Sequence, residues 1–160
     1  METLIQREEK VQRLMQLKDE FPGKAIVSVR LNIPGPVKRA EWIERLFKAT
    51  MSDLMGLLNE HEISFQICES EFAKGYYENL CILICDIEPR KLKALSVKFE
   101  DDKAFGRFVD IDILGTSREQ LGLSERKCYL CDSPAFVCSR SRKHSVSELI
   151  QFMILKTQGL

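Results

Sequence analysis

The sequence predicts an α+β fold, a βαββαβ sandwich of ferredoxin-like type with flanking amino- and carboxyl-terminal helices and a cysteine-rich basic loop. Three observations carry that expectation. Across residues 25–114 the apolar positions switch between a period of two and a period near 3.6, in the order strand, helix, strand, strand, helix, strand. That order is the split βαβ arrangement, a mainly antiparallel sheet with helices on one face. Outside it, residues 1–21 and 146–157 have helical patterning, and cysteines and basic residues crowd positions 126–143. At 160 residues one domain is expected. It divides into a leading helix (1–21), an α+β core (25–114), a cysteine-rich basic loop (126–144) and a final helix (145–158).

Each element has its own local cause. In residues 1–21, Leu4, Val11, Leu14, Met15, Leu17 and Phe21 recur among charges at near-helical spacing, and Pro22-Gly23 stops the run. Residues 25–33 set Ile26, Val27, Val29, Leu31 and Ile33 against Ser28, Arg30 and Asn32, the alternation of a half-buried strand, ended by Pro34-Gly35-Pro36. From 40 to 60, Ile43, Leu46, Phe47, Leu54, Leu57 and Leu58 return at threes and fours, which makes the longest helix. Residues 63–68 alternate again. Residues 80–87 are apolar and β-branched, as a strand buried on both faces requires, and Pro89 opens a helix running to about Glu100. Cys68, Cys81 and Cys85 fall in strand-like runs, where core packing is their expected role. In residues 107–114, Phe108, Asp110 and Asp112 are expected on one face and Val109, Ile111 and Ile113 on the other. Residues 115–125 are polar and read as loop. Ser145, with Glu148 three residues on, is a capping box for a helix carrying Leu149, Ile150, Met153 and Ile154.

Composition excludes several functions. A hydrophobic fraction of 44% and a charged fraction of 30% match ordinary globular chains and argue against disorder. Twenty-four Lys+Arg balance 24 Asp+Glu, so no global field gathers nucleic acid or anionic lipid, and any polyanion must meet a local patch. The longest apolar run, Leu80 to Cys85, falls far short of the ~20 residues that span a bilayer. The charged first twenty residues lack a signal-peptide core, so a cytoplasmic location is expected, with the six cysteines as thiols or ligands.

Two constellations carry chemistry. Asp110 and Asp112 project from one face of an otherwise apolar strand, roughly 6 to 7 Å apart along the chain. They are either solvated at an open sheet edge or hold a hard divalent cation, Mg²⁺, of the kind that serves phosphoryl transfer. Arg107, three residues before Asp110, could meet a phosphate or a surface acid. The second constellation is Cys128-x2-Cys131-x6-Cys138-x5-His144. Three thiols and an imidazole suffice for tetrahedral Zn²⁺, although the second half matches no standard finger spacing; the alternative is that the cysteines are small buried hydrophobes. Arg126, Lys127, Arg140, Arg142 and Lys143 surround them against Asp132 alone, a local charge of +4 that either invites phosphate or forms a solvated basic loop.

Three strings, in register, resemble one family: Pro34-Gly35-Pro36-Val37-Lys38; Gly106-Arg107-Phe108-Val109-Asp110-Ile111-Asp112-Ile113-Leu114; and Arg126-Lys127-Cys128-Tyr129-Leu130-Cys131 through Ala135, Cys138, Arg140 and His144. The family is apo-citrate lyase phosphoribosyl-dephospho-CoA transferase, or citrate lyase holo-acyl-carrier-protein synthase. Lys127 stands where the pattern has arginine, keeping charge but losing the bidentate fork. The resemblance implies a nucleotidyltransferase that moves its group from 2'-(5''-triphosphoribosyl)-3'-dephospho-CoA to a serine of the citrate lyase acyl carrier protein (gamma subunit), releasing pyrophosphate. In that reading Asp110 and Asp112 hold Mg²⁺, Lys38, Arg107, Arg126, Lys127, Arg140 and Arg142 grip phosphates, and His144 accepts a proton or donates to phosphate. It leaves open whether Cys128, Cys131, Cys138 and His144 bind zinc. The alternatives are a non-enzymatic zinc-binding adaptor and the same chemistry on a malonate decarboxylase type carrier. Neither nucleic acid nor membrane is an expected partner.

Overall fold

A computed structural model describes residues 4–71 and 80–160. Among the described residues nine regular elements follow one another: α1 (Leu4–Glu20), β1 (Ala25–Leu31), α2 (Glu41–Glu60), β2 (Phe65–Glu71), β3 (Leu80–Cys85), α3 (Pro89–Asp102), β4 (Val109–Ile113), α4 (Ala135–Ser141) and α5 (Val146–Thr157). Short 3₁₀ turns lie at Gly106–Phe108 and Glu119–Leu121. The first three residues of the expected leading helix lie outside the described ones. The fold is α+β, its four strands ordered β2-β3-β1-β4 with every neighbouring pair antiparallel.

Strand alternation divides the sheet between two apolar layers. Val27, Val29 and Leu31 of β1, Cys81, Leu83 and Cys85 of β3, and Val109, Ile111 and Ile113 of β4 face the main core. There they meet Ile43, Leu46, Phe47 and Leu58 of α2, Leu92 and Phe99 of α3, and Met153 of α5. The opposite residues, Ile26, Leu80, Ile82 and Ile84, lie under Leu14 and Leu17 of α1, with Phe21 packed alongside. So α1 covers the sheet face away from α2 and α3, and all six residues of β3 are buried, as their unbroken apolar run requires. Among the described residues no helix is long and apolar enough to cross a membrane.

One expected face is corrected. Phe108 does not project with Asp110 and Asp112; it is buried in the main core with Val109. The cause is the 3₁₀ turn at Gly106–Phe108, which breaks strand alternation just before β4 begins. Gly106 makes that turn feasible through close approach, since a Cβ there would lie 2.5 Å from the Phe99 carbonyl oxygen at the end of α3.

Candidate functional site

β4 brings the two acids to the α1 side of the sheet. Register with β1 sets Asp110 opposite Arg30 and Asp112 opposite the buried Ser28. Arg126 Nη2 donates to Asp110 Oδ1 at 2.5 Å and reaches Glu100 Oε1 at 3.4 Å. Burial works against the charge of Arg126, but Asp110 and Glu100 outweigh it and hold the guanidinium proton more tightly than usual. Asp112 stands exposed at a groove mouth. Desolvation by the groove wall, then the negative charge of Asp110, holds its carboxyl above the ordinary aspartate value, with Lys93, Lys10 and Arg126 pulling the other way.

Behind the acids lies an ion network that sequence patterning did not single out. Glu100 of α3 is 2% exposed, and its Oε1 accepts the Ile111 N–H at 2.9 Å. The buried Lys93 donates to the Ile111 carbonyl at 2.9 Å. Arg118 ion-pairs with the other Glu100 oxygen, so two guanidiniums and a backbone amide satisfy this buried carboxylate. Its signal was faint, because an acid near a helix end reads as a solvated residue.

The cysteine-rich stretch folds on itself. Arg126 O accepts from Ala135 N at 2.8 Å and Cys128 N donates to Ser133 O at 2.9 Å, closing a tight knuckle. α4 then carries Cys138, and Arg142, at φ 50°, reverses the chain in a left-handed cap so that His144 returns to the cysteines. The four donor atoms of Cys128, Cys131, Cys138 and His144 all lie within 4.8 Å of one another. Cys131 Sγ is 3.4 Å from Cys138 Sγ and 3.4 Å from His144 Nε2. His144, and then the Ser133 amide, pulls the Cys131 thiol down to about 5, whereas desolvation pushes Cys138 up to about 11. Such a cluster could bind a metal. A tetrahedron with bonds of about 2.3 Å has donor–donor edges of roughly 3.8 Å, close to these separations.

The remaining predicted site residues are scattered. Arg107 Nη1 donates to the Cys128 carbonyl at 3.0 Å and Nη2 pairs with Asp132 at 3.2 Å, so it ties the knuckle to the start of β4. Tyr129 makes the same attachment, its hydroxyl donating to the Asn32 carbonyl while its ring meets Phe108 edge-on at 5.1 Å. Lys38 donates to the Ile33 carbonyl. Lys127 is exposed, Arg140 lies over the Phe136 ring at 5.7 Å, and Arg142 lines a cavity of about 670 Å³ with Tyr129, Asn32 and His144. A smaller groove, about 340 Å³, opens between α1 and the sheet beside Asp112.

The family model described as apo-citrate lyase phosphoribosyl-dephospho-CoA transferase matches residues 1–158. The chain belongs to this transferase family. A probable apo-citrate lyase phosphoribosyl-dephospho-CoA transferase of Streptococcus pyogenes serotype M3 is 33% identical over 152 residues, covering 89% of this chain and 77% of the relative. The transferase of Escherichia coli O1:K1 / APEC is 29% identical over 157 residues, covering 95% and 84%. Protein CitXG of Leuconostoc mesenteroides subsp. cremoris is 30% identical over 154 residues, covering 92% of this chain but 32% of that longer protein. Family membership thus embraces α1, which none of the three sequence strings included.

Proposed function

We propose that the chain is a nucleotidyltransferase that transfers phosphoribosyl-dephospho-CoA from 2'-(5''-triphosphoribosyl)-3'-dephospho-CoA to a serine of the apo-citrate lyase acyl carrier subunit. The family match over residues 1–158 carries this reading and favours it over both a non-enzymatic adaptor and a malonate-type carrier modifier. The serine Oγ attacks the α-phosphorus, a new P–O bond forms, and the bond to the diphosphate breaks with its electron pair departing on pyrophosphate. The serine proton passes to solvent or to a base.

Asp110 and Asp112 would hold Mg²⁺, to which their oxygen donors on one strand face are suited. Bound there, the ion would neutralise charge on the leaving diphosphate. Arg126 donates to Asp110 and fixes its position, while Asp112 remains open to a ligand. The three thiols and imidazole of the knuckle suit Zn²⁺ far better than Mg²⁺, and we assign it a structural role there, with His144 as ligand. The strand order β2-β3-β1-β4 within a βαββαβ chain supports the ferredoxin-like reading of the core.

Incubating the purified protein with donor, Mg²⁺ and apo carrier subunit tests the proposal by intact mass. The expected result is a carrier heavier by one phosphoribosyl-dephospho-CoA group, with one equivalent of pyrophosphate released. An unchanged carrier mass overturns it.

A further inference from the structure

We infer that Arg7 and Lys10 of α1, together with Arg30 of β1, form the wall that grips the anionic polyphosphate end of the donor opposite Asp112. This rests on the transferase reading and adds to it a second bank of binding residues, drawn largely from the leading helix.

α1 is held by one end. Its later residues Leu14 and Leu17 are buried on the sheet, whereas Leu4, Ile5 and Val11 in the earlier turns are exposed. The earlier turns overhang β1 and β4, and beneath them lies the groove of about 340 Å³. Clefts that take small ligands start near 300 Å³, so a polyphosphate with its water is a fitting occupant and a whole coenzyme is not. Arg7 and Lys10 are three apart and thus share a helix face; both line this groove, as do Arg30, Ser28 and Asp112. Strand register adds that Arg30 sits across from Asp110 and Ser28 across from Asp112. Three cations and the Asp112 carboxylate therefore meet across one cleft, with Asp110 next to it on the strand, the arrangement a metal-bound polyphosphate requires: a carboxylate for the metal, guanidinium and ammonium groups for non-bridging oxygens. Ile26 and Leu14 supply an apolar floor, where such contacts are stronger than in open water.

The competing explanation is that these cations only neutralise Asp110 and Asp112. Two measurements separate the readings: calorimetric binding of Mg²⁺–pyrophosphate, and the donor KM against the carrier KM. The double variant Arg7→Gln/Lys10→Gln should bind Mg²⁺–pyrophosphate roughly tenfold or more weakly and raise the donor KM to match, with the carrier KM unchanged. Arg7→Lys/Lys10→Arg, which keeps both charges, should recover most of the affinity, and circular dichroism confirms that each variant is folded. If the double variant is misfolded, Arg30→Gln alone is read by the same two measurements. Pyrophosphate affinity and donor KM within twofold of wild type, in a protein that still transfers the group, overturn the groove assignment alone. A wild type that neither modifies the carrier nor releases pyrophosphate overturns the transferase reading, and the groove assignment with it.

Discussion

Asp110 is half-buried against Arg126, whereas Asp112 stands exposed at the groove mouth, and substitution should separate them. Both Asp110→Asn and Asp112→Asn are expected to abolish Mg²⁺-dependent carrier labelling. Their stabilities should differ. Asp110→Asn leaves Arg126 with Glu100 as its remaining acid, a loss of roughly 1–3 kcal/mol read as a lower denaturation midpoint. Asp112→Asn works in the other direction. Because the folded chain holds the Asp112 carboxyl above its unfolded value, stability is lost as pH rises from the ordinary aspartate range through the raised one. The variant lacks that loss, so it should match or exceed wild type at neutral pH, with the gap closing in acid. Equal stability losses in the two variants at pH 7 would contradict this division. The acids themselves were legible as a pair of charges in an apolar strand. Arg126 as the partner of Asp110 was not, because the two stand 16 positions apart along the chain and only the folded knuckle brings them together.

The 3₁₀ turn at Gly106–Phe108 determines where β4 starts, and hence which side its acids take. Gly106→Ala would place a methyl group 2.3 Å from the Glu100 carbonyl oxygen, displacing both α3 and the turn. A cost of roughly 1–3 kcal/mol is expected by chemical denaturation, with transfer activity falling as β4 shifts; a silent substitution would mean the turn is slack. The element order was readable because each strand and long helix repeats its apolar period over five or more residues. The turn was not, since Phe108 fits the period-two pattern that it interrupts. α4 escaped for a related reason: seven residues make too short a run to establish a period. By contrast the Ser145–Glu148 capping box is a purely local signal, and both of its hydrogen bonds are present, at 3.1 and 2.7 Å.

At the scale of the whole molecule, the sheet and its helices are held by two apolar layers, while the knuckle is tied down by the Arg107–Cys128 and Arg126–Asp110 hydrogen bonds and gathers three thiols and an imidazole. That contrast predicts a division in stability. Protein purified without added metal should contain about one zinc per chain, and Cys131→Ser or His144→Ala should lose it. The variants should melt about 5 °C lower or more, with the far-ultraviolet spectrum largely kept because the sheet does not need the ion. Metal-free wild type with an unchanged melting point would remove zinc from the structure. The donor set was visible in the spacing of the sequence; its convergence was not, because it depends on the left-handed reversal at Arg142.

The outer rim of β4 has one more consequence. Val109 N–H is taken by Gly106 O, Ile111 N–H by Glu100, Ile111 O by Lys93, and Ile113 O by Thr116 N–H. A strand from another molecule would find these groups already engaged, and docking there would require expelling a buried acid and a buried lysine together. Addition of a further strand along this side is thereby disfavoured.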